Sequence, residues 1–327
     1  MEFQLPITIA SLPRPIGYPD KILLTGSCFT EHIGNALRDW KFDTLQNPNG
    51  ILFDPASVAS SLISYIQPRL YTEEDLVFFN EVYQSWQHHS VFSHVDKTEC
   101  LRGINASQDR AHAFLKEADW LIITLGSAFS YRLADGGATV SNCHRAPAQT
   151  FNKHLMTIEE INTALDSCIY RLFYFNPNLR ILFTVSPVRH VRDGVVENNR
   201  SKARLIESVH HLVNKFDRIW YFPAYELVID ILRDYRFYDV DMVHPNYPAT
   251  AFVLEKFTQH CIDEPGRRLL EEVKKIAIAR RHKPFQPSTQ AHRRFLQDHW
   301  ERTTALARQH PFLDLKEEIN YFSAGAL

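Results

Sequence analysis

Four short apolar runs alternate with segments of helical spacing along this chain. The runs cover residues 22–25, 121–125, 181–185 and 219–222, and each is nearly continuous. Continuous runs of this length are typical of strands that are buried on both faces of a parallel sheet. Strands that alternate with helices predict an α/β fold, here a three-layer α/β/α domain with a mainly parallel sheet. Ligands bind such sheets at the carboxyl ends of the strands.

The clearest helical segment begins at Thr157. Thr157 and Glu160 have the spacing of a capping box. Apolar residues then recur three and four positions apart, at Ile158, Ile161, Leu165, Cys168, Ile169 and Leu172. The segment predicts a helix that connects the second and third of these strands.

The pattern changes after residue 262. Pro265 and Gly266 interrupt the chain, and a helical segment follows that ends in basic residues before Pro284. Cations at the end of a helix complement its dipole, which we prefer to a polyanion site as the explanation of this cluster. A second amphipathic stretch covers residues 289–307. We therefore predict an α/β domain over residues 1–262 and an α-helical C-terminal extension over residues 263–327.

Composition narrows the choice of partners. The 327 residues carry a net charge of -2, which gives no reason to expect nucleic acid or an anionic membrane as a partner. No apolar run approaches the roughly 20 residues of a spanning helix, and the first residues lack the pattern of a secretory signal. The five scattered cysteines suit a reducing compartment, so we expect a cytoplasmic protein.

Two potential nucleophiles follow the first strand, in a segment that we call the nucleophile turn (residues 26–28). Gly26 permits a tight turn before Ser27 and Cys28, and the residues from Glu31 onward have a helical pattern. The amino end of a helix stabilises a developing anion and lowers the pKa of a thiol. In the alternative interpretation, Ser27 only caps the helix and Cys28 is a small buried apolar residue.

An Asp-x-x-His sequence lies near the end of the α/β region. Asp241 precedes His244 by three residues in "YDVDMVHPNY". At this spacing the carboxylate can accept a hydrogen bond from one ring nitrogen, while the other nitrogen takes a proton from a nucleophile. An early nucleophile with a late Asp and His is an arrangement that nucleophilic hydrolases use.

The chain resembles the GSCFA family, which is grouped with the SGNH (GDSL-like) hydrolases. The resemblance rests on "GSCF" at residues 26–29 and covers roughly residues 15–260; the other matching segments are "NPNGILFDP", "TLGSAFSY", "NCHR", "SPVRH", "SKA" and "YFPAYE". It implies a flavodoxin-like sheet and ester chemistry without a named substrate.

The SGNH pattern implies roles for individual residues. Asp241 and His244 match its last block, and Gly50 matches the second-block glycine, whose N–H serves the oxyanion together with that of the nucleophile. Cys28 falls at the nucleophile position, so we favour it over Ser27. The third block differs, because Gly126 and Ser127 are followed by alanine in place of the oxyanion Asn. Groups that could replace this donor are Asn47, Asn49 and Ser127.

Further residues are expected to contact substrate. We expect His89, His144, Arg189, His190 and Lys202 to line the site, together with Asn47, Asn49 and Gly126. Arg189 could bind an anionic substrate group or pair with Asp193 or Glu197. Lys202 is placed at the start of a helix, with Glu226 or substrate as its partner. His88 and His89 would point to opposite faces of a strand, so we expect no metal site.

These features predict an acyl-ester hydrolase, such as an esterase or deacetylase. The substrate would be an O-acylated small molecule or saccharide, and the site residues would be Cys28 or Ser27, His244 and Asp241. An O-acyltransferase or a non-catalytic carbohydrate- or partner-binding domain are the alternatives. No cofactor is expected, since hydrolysis needs neither a metal nor an organic cofactor. A transferase could use an acyl-CoA donor, but the sequence shows no phosphate-binding Gly-rich loop for it. Phosphoryl transfer is disfavoured because no P-loop is present.

Overall fold

The computed structural model describes residues 5–323, and its central feature is a parallel sheet. The strands in chain order are β1 (Lys21–Gly26), β2 (Asp43–Gln46), β3 (Val77–Phe79), β4 (Val82–Gln84), β5 (Trp120–Leu125), β6 (Phe129–Leu133), β7 (Thr139–Val140), β8 (Phe151–Leu155), β9 (Arg180–Val185) and β10 (Ile219–Tyr221). The helices are α1 (Cys28–Asp39), α2 (Pro55–Ile66), α3 (Lys97–Glu117), α4 (Ile158–Phe175), α5 (Val195–Lys215), α6 (Ala224–Glu226), α7 (Tyr247–Cys261), α8 (Glu264–Arg281), α9 (Gln290–Gln309) and α10 (Lys316–Ser323).

The sheet order is β10-β9-β5-β1-β2, and every pairing in it is parallel. Counted from the first strand of this sheet, the order is 2-1-3-4-5, which is the flavodoxin-like arrangement. The chain reverses direction across the sheet between β1 and β5, and ligands bind such folds at this point. The expected α/β fold with a mainly parallel sheet is thus confirmed. Two antiparallel additions, the β3–β4 hairpin and the sheet β7-β6-β8, lie outside the central sheet.

The central sheet is buried on both faces. Along β1, Ile22 and Leu24 belong to one hydrophobic cluster, whereas Leu23 belongs to the other. The first cluster includes residues of α1, α7 and α8, and the second includes residues of α2, α4 and α5. This double burial explains why the strands have continuous apolar sequences.

The C-terminal helices share a core with the α/β region. Leu270, Val273 and Ile276 of α8 are each 1% exposed and lie in the cluster that contains Ile22. The division that we predicted between residues 262 and 263 falls at the N-cap of α8, Asp263. The segments on the two sides of this boundary therefore contribute to the same hydrophobic cluster. The two-domain description stays a prediction.

Helix positions correct several details of the sequence analysis. The capping box of α4 is present as predicted, but α1 begins at Cys28, three residues before Glu31. Lys202 lies in the third turn of α5, which begins at Val195, and not at the start of a helix. His88 follows β4 in a turn, so the expected strand position of His88 is wrong. Within residues 5–323, no helix combines the length and apolar composition that crossing a membrane requires.

Candidate active site

The nucleophile turn is formed by a close approach between β1 and β5. Gly26 has φ +143°, and a Cβ placed on it would lie 2.2 Å from the carbonyl oxygen of Thr124. The N–H of Ser27 donates to the same carbonyl at 3.0 Å. Only glycine satisfies both the backbone angle and the contact, so Gly26 fixes the direction in which the chain leaves the sheet.

Ser27 and Cys28 have different roles at this turn. Ser27 is 1% exposed and is the N-cap of α1, where its Oγ accepts a hydrogen bond from the N–H of Phe29 at 3.3 Å. Cys28 is the first residue of α1 and is partly exposed. Capping engages the Ser27 hydroxyl, whereas the Cys28 thiol is accessible, and this difference favours Cys28 as the nucleophile.

The surroundings of Cys28 act on its pKa in both directions. Burial raises the pKa of the thiol, and the Glu31 carboxylate raises it further. The Lys202 ammonium and the N–H groups of Phe29 and Cys28 lower it, but the net shift is upward. Our expectation that the helix terminus leaves Cys28 with a lowered pKa is therefore wrong, because desolvation outweighs the helix terminus.

Asp241 and His244 form a hydrogen-bonded pair in the loop before α7, which we call the Asp–His loop (residues 239–246). The Nδ1–H of His244 donates to Oδ2 of Asp241 at 2.6 Å. The other oxygen, Oδ1, accepts the N–H groups of Val243 at 2.9 Å and of His244 at 3.0 Å. Hydrogen bonds from His244 lower the pKa of Asp241 to about 2. The carboxylate stays ionised and fixes the tautomer that leaves Nε2 free to accept a proton.

Arg189 connects the end of β9 to the Asp–His loop. Its N–H donates to the carbonyl of Val243 at 3.2 Å, and its Nη1 donates to the carbonyl of Met242 at 3.3 Å. The guanidinium lies 4.0 Å from the ring centroid of Tyr238. The expected ion pairs of Arg189 are absent, since Asp193 pairs with Lys153 and Glu197 pairs with Arg200. Arg189 thus supports the loop that carries His244.

The charge of His244 acts on two histidines near the nucleophile turn, His32 and His190. Burial lowers the pKa of His32, and the charge of His244 acts in the same direction. Burial lowers the pKa of His190 to about 4, and the charges of Lys202 and His244 contribute. His32 follows Cys28 by four residues on α1, so the two share a face of that helix. The spacing of four residues from Cys28 could have identified His32 in the sequence, but the motif analysis did not single it out.

In the described residues, the Cys28 thiol and the His244 imidazole are not joined by a hydrogen bond. Catalytic hydrogen bonds are often long without substrate and tighten only in the complex. The hydrogen bonds of Arg189 hold the loop of His244 near the carboxyl end of β9, and Cys28 follows the carboxyl end of β1 in the same sheet.

His190 lies beside Gly126 and the nucleophile turn. A Cβ placed on Gly126 would lie 3.1 Å from the Cβ of Ser27 and 3.3 Å from Nε2 of His190. The N–H of His190 donates to Oδ1 of Asn198 at 2.8 Å, and the ring packs on Phe53. Its Nε2 is buried and has no hydrogen-bond partner in the described structure. A neutral imidazole with a free ring nitrogen therefore faces the space beside Ser27.

Asn47 is held beside the same turn. Its Oδ1 accepts the N–H of Gly26 at 3.0 Å, and its Nδ2 is buried without a partner among the described residues. The N–H of Gly50 donates to the carbonyl of Asn47 at 2.7 Å, and Gly50 has φ +77° with His89 packed against it. Our expectation of Gly50 as an oxyanion donor is not supported, because its N–H is already engaged.

Ser127 and Asn49 do not supply the missing oxyanion donor either. The N–H groups of Gly126 and Ser127 both donate to the carbonyl of Phe53, at 2.8 and 3.3 Å. The Oγ of Ser127 accepts the N–H of Phe129 and contacts the hydroxyl of Ser201. Asn49 lines a separate cavity of about 300 Å³ next to Tyr71.

The remaining expected site residues differ in their surroundings. His89 is half-buried and close enough to Glu31 for that charge to act on its pKa, which burial lowers. His144 is 8% exposed, and its Nε2 is hydrogen-bonded to the carbonyl of Ser85 at 2.8 Å. His89 therefore lies within range of the Glu31 charge, whereas His144 is engaged by the backbone. The described residues contain no group of three His, Cys, Asp or Glu side chains that could share a metal ion.

Lys202 is buried at the carboxyl ends of β5 and β9. It is 1% exposed, and its Nζ donates to the carbonyls of Gly126 and Ser186, both at 2.6 Å. Burial lowers the pKa of Lys202 to about 7, and the charge of Cys28 acts in the opposite direction. The expected pairing with Glu226 is wrong, because Glu226 accepts the hydroxyl of Tyr221.

A groove of about 310 Å³ adjoins the Asp–His loop. We call it the tyrosine groove; its lining includes Arg189, Asn198, Tyr225, Tyr235 and Asp241. Its lining combines aromatic rings with amide, guanidinium and carboxylate groups. Such a mixture offers both apolar contact and orienting hydrogen bonds to a small ligand.

Comparisons with known proteins identify relatives of this chain. The GSCFA family model matches residues 21–257, and the model described as "GSCFA domain protein, C-terminal domain" matches residues 273–325. No curated protein matches the sequence. Among solved structures, the chain is similar to an acetyl xylan esterase from the rumen bacterium Butyrivibrio proteoclasticus, with 12% identity and a TM-score of 0.36. The match covers 75% of this chain and 65% of the esterase chain, which is less than two thirds of its length.

Proposed function

This chain belongs to the GSCFA family, and we propose that it is an acyl-ester hydrolase with Cys28 as the nucleophile. One observation carries the proposal: the hydrogen-bonded Asp241–His244 pair lies at the sheet edge where Cys28 begins α1. An oriented imidazole beside an accessible thiol is the arrangement required for nucleophilic acyl transfer.

The proposed reaction has two steps. The Cys28 sulfur attacks the ester carbonyl while His244 Nε2 takes the thiol proton, and the C–O bond breaks as His244 returns that proton to the leaving alcohol. A thioester on Cys28 remains. Water then attacks it, giving its proton to His244, which passes the proton back to the Cys28 sulfur as the acid is released. Asp241 orients the imidazole and stabilises its charged form in both steps.

We assign the oxyanion donors to groups that are free beside the nucleophile turn. The N–H of Cys28 lies at the amino end of α1. Asn47 Nδ2 and His190 Nε2 are both buried without a partner in the described structure. These two side chains would replace the oxyanion Asn whose position is taken by Ala128. A single donor of this kind contributes about 100- to 1,000-fold in rate.

The tyrosine groove supports a substrate with a carbohydrate-like alcohol. It adjoins Asp241 and combines two tyrosine rings with Arg189 and Asn198. Planar polar groups next to aromatic faces suit a molecule with many hydroxyls and an apolar ring face. The same thioester would also permit transfer of the acyl group to a second alcohol, and we assign both reactions to the cytoplasm.

The proposal is tested with nitrophenyl esters of several acyl lengths. Hydrolysis by the native protein should fall to background in Cys28→Ala and in His244→Ala, because each removes a reacting group. Cys143→Ala is the matched control, since it removes a partly exposed thiol elsewhere and should retain full activity. Activity that survives His244→Ala would contradict the mechanism, and no activity in any protein would favour a binding domain.

A further inference from the structure

A polar cavity of about 300 Å³ lies apart from the tyrosine groove, and the two share no lining residue. It is formed where the loop after β2, the end of α2, the turn after β4 and the turn after β7 meet. Its volume is at the lower end of the range for pockets that hold small molecules. We call it the amide cavity; its lining includes Asn49, Ser60, Ile63, Gln67, Gln87 and Ser141.

Asn49 is a buried polar residue in the wall of the amide cavity. It is 2% exposed, and its Oδ1 has no hydrogen-bond partner among the described residues. Its backbone is held in place, because its carbonyl accepts the N–H of His89 at 2.9 Å. A buried amide oxygen without a partner is costly, and native structures usually satisfy such a group with water or a ligand. Asn49 therefore offers the cavity an unused hydrogen-bonding group.

The lining of the amide cavity favours a neutral, hydrophilic ligand. Apart from Ile63, every lining residue carries a hydroxyl, an amide or a guanidinium group. The guanidinium belongs to Arg69, and its charge is compensated by an ion pair with Asp75. An anionic or cationic ligand would therefore find no opposite charge that is free to pair with it. An apolar ligand would leave many polar groups without partners.

The polar groups of the lining supply both donors and acceptors. The Oγ of Ser61 donates to the carbonyl of Val58 at 2.9 Å, and the Oγ of Ser64 donates to the carbonyl of Ser61 at 2.7 Å. A hydroxyl whose proton is engaged can still accept a hydrogen bond, and the amides of Gln67 and Gln87 can donate. A ligand with several hydroxyl groups matches this set, because each hydroxyl both donates and accepts.

We propose that the amide cavity binds a saccharide unit, as a site additional to the proposed esterase centre. The Asn49 amide hydrogen-bonds a hydroxyl of the sugar, and the amides of Gln67 and Gln87 donate to its oxygens. Binding involves no covalent step and no ester. The inference therefore does not depend on whether Cys28 is a nucleophile.

Two isoleucines allow the amide cavity and the tyrosine groove to be followed in one sample. Ile63 lines the cavity, and Ile229 lines the groove. Protein labelled with ¹³C at the isoleucine δ1-methyl groups is titrated with glucose, galactose and N-acetylglucosamine, and Ile63→Val and Ile229→Val assign the two NMR signals. The Ile63 signal should shift with at least one sugar, with a Kd on the order of a few mM, because small neutral ligands bind weakly. An Ile63 signal that moves with none of the three would overturn the proposal.

Substitution of Asn49 tests the assigned contact. Asn49→Ala should raise the Kd about tenfold, because the sugar loses its hydrogen bonds to a buried amide. Gln149→Ala is the matched control, since Gln149 is exposed outside the cavity and its loss should leave the Kd unchanged. If Asn49→Ala does not fold, Gln87→Ala tests the same wall and should weaken binding in the same direction. An unchanged Kd in the folded variant would contradict the proposal.

The two methyl signals also separate this inference from the proposed function. A shift confined to Ile229 would place the sugar in the tyrosine groove, which would overturn the saccharide site in the amide cavity and support the proposed substrate. A shift at Ile63 in a protein that hydrolyses no nitrophenyl ester would support the cavity site and count against the esterase. Failure of one proposal is thus distinguishable from failure of the other.

Discussion

Asp241 lies at the protein surface, where its side chain is about half exposed. Three hydrogen bonds from Val243 and His244 hold its two oxygens. These bonds are local in sequence, so the loop orients the carboxylate without help from the core. A solvated carboxylate keeps its charge at neutral pH, which is what an orienting group for an imidazole requires.

Asp241→Asn should reduce kcat/KM for a nitrophenyl ester by roughly 10³- to 10⁴-fold. The amide can present its N–H to His244 and favour the tautomer with Nε2 protonated, which cannot accept the thiol proton. The matched control is Asp234→Asn, since Asp234 is also exposed and accepts a backbone N–H, from Arg236 at 2.9 Å. If Asp241→Asn kept more than a tenth of the native activity, Asp241 would not be the orienting group.

The helices differ in how deeply their N-cap residues are buried, and a buried carboxylate cap makes stability depend on pH. Asp54 caps α2 by accepting the N–H of Ser57 at 3.0 Å, and it is 3% exposed. Burial raises the pKa of Asp54 to about 6, although the hydrogen bonds of the cap oppose the shift. The folded protein therefore holds this proton more tightly than the unfolded chain does. Ionisation of Asp54 reduces stability as pH rises from 3.8 through about 6.

Asp54→Asn should remove this pH dependence, because an amide caps the helix without ionising. Relative to the native protein, the variant should gain about 2 kcal/mol in free energy of unfolding between pH 4 and pH 7. Urea denaturation at both pH values measures the difference. Asp96→Asn, at the exposed N-cap of α3, is the control and should show no such gain. An equal stability difference at both pH values would show that Asp54 ionises as freely folded as unfolded.

Sequence patterns predicted the helix boundary well where residues close together in the chain form the structure. The capping box at Thr157 and Glu160 depends on residues three apart, and the helix begins where it predicts. The start of α1 was predicted at Glu31 instead of Cys28, because the preceding Phe and Thr pack on the sheet and obscure the helical pattern. Strand β2 was missed because it is short and only partly buried.

At the scale of the whole molecule, one hydrophobic cluster joins the sheet to the C-terminal helices. Leu270 is 1% exposed within the cluster that also contains Ile22. The N–H of Asp263 donates to the carbonyl of Ile16 at 3.0 Å, so the chain that precedes β1 also contacts the start of the extension. Because these segments share one core, they should unfold together.

Leu270→Ala should lower the free energy of unfolding by about 2–5 kcal/mol, the cost of a cavity in a packed core. Ile278→Ala on the same helix is the matched control, since Ile278 is 71% exposed and should change stability by less than about 0.5 kcal/mol. Urea denaturation followed by tryptophan fluorescence and by circular dichroism should give one coincident transition. Two separate transitions would show that the extension folds independently.

Neighbouring residues in the chain are enough to predict the fold class and the Asp–His pair. Continuous apolar runs specify strands buried on both faces, and a spacing of three residues brings Asp241 to His244. These properties depend on residues close together in the chain. Both could be predicted because apolar patterns along the chain and hydrogen bonds between near neighbours do not depend on the rest of the molecule.

The electrostatic environment of Cys28, and the polar groups that remain free around it, depend on how distant segments pack together. Burial raises the pKa of Cys28 and outweighs the opposing effect of the helix terminus. The N–H of Gly50 is engaged because it donates to the carbonyl of Asn47. Lys202 of α5 donates a hydrogen bond to the carbonyl of Gly126, which lies beside the nucleophile turn, although the two residues are far apart in the chain. Desolvation and long-range charge depend on atoms from every element that packs around a site, and no local pattern in the sequence records them.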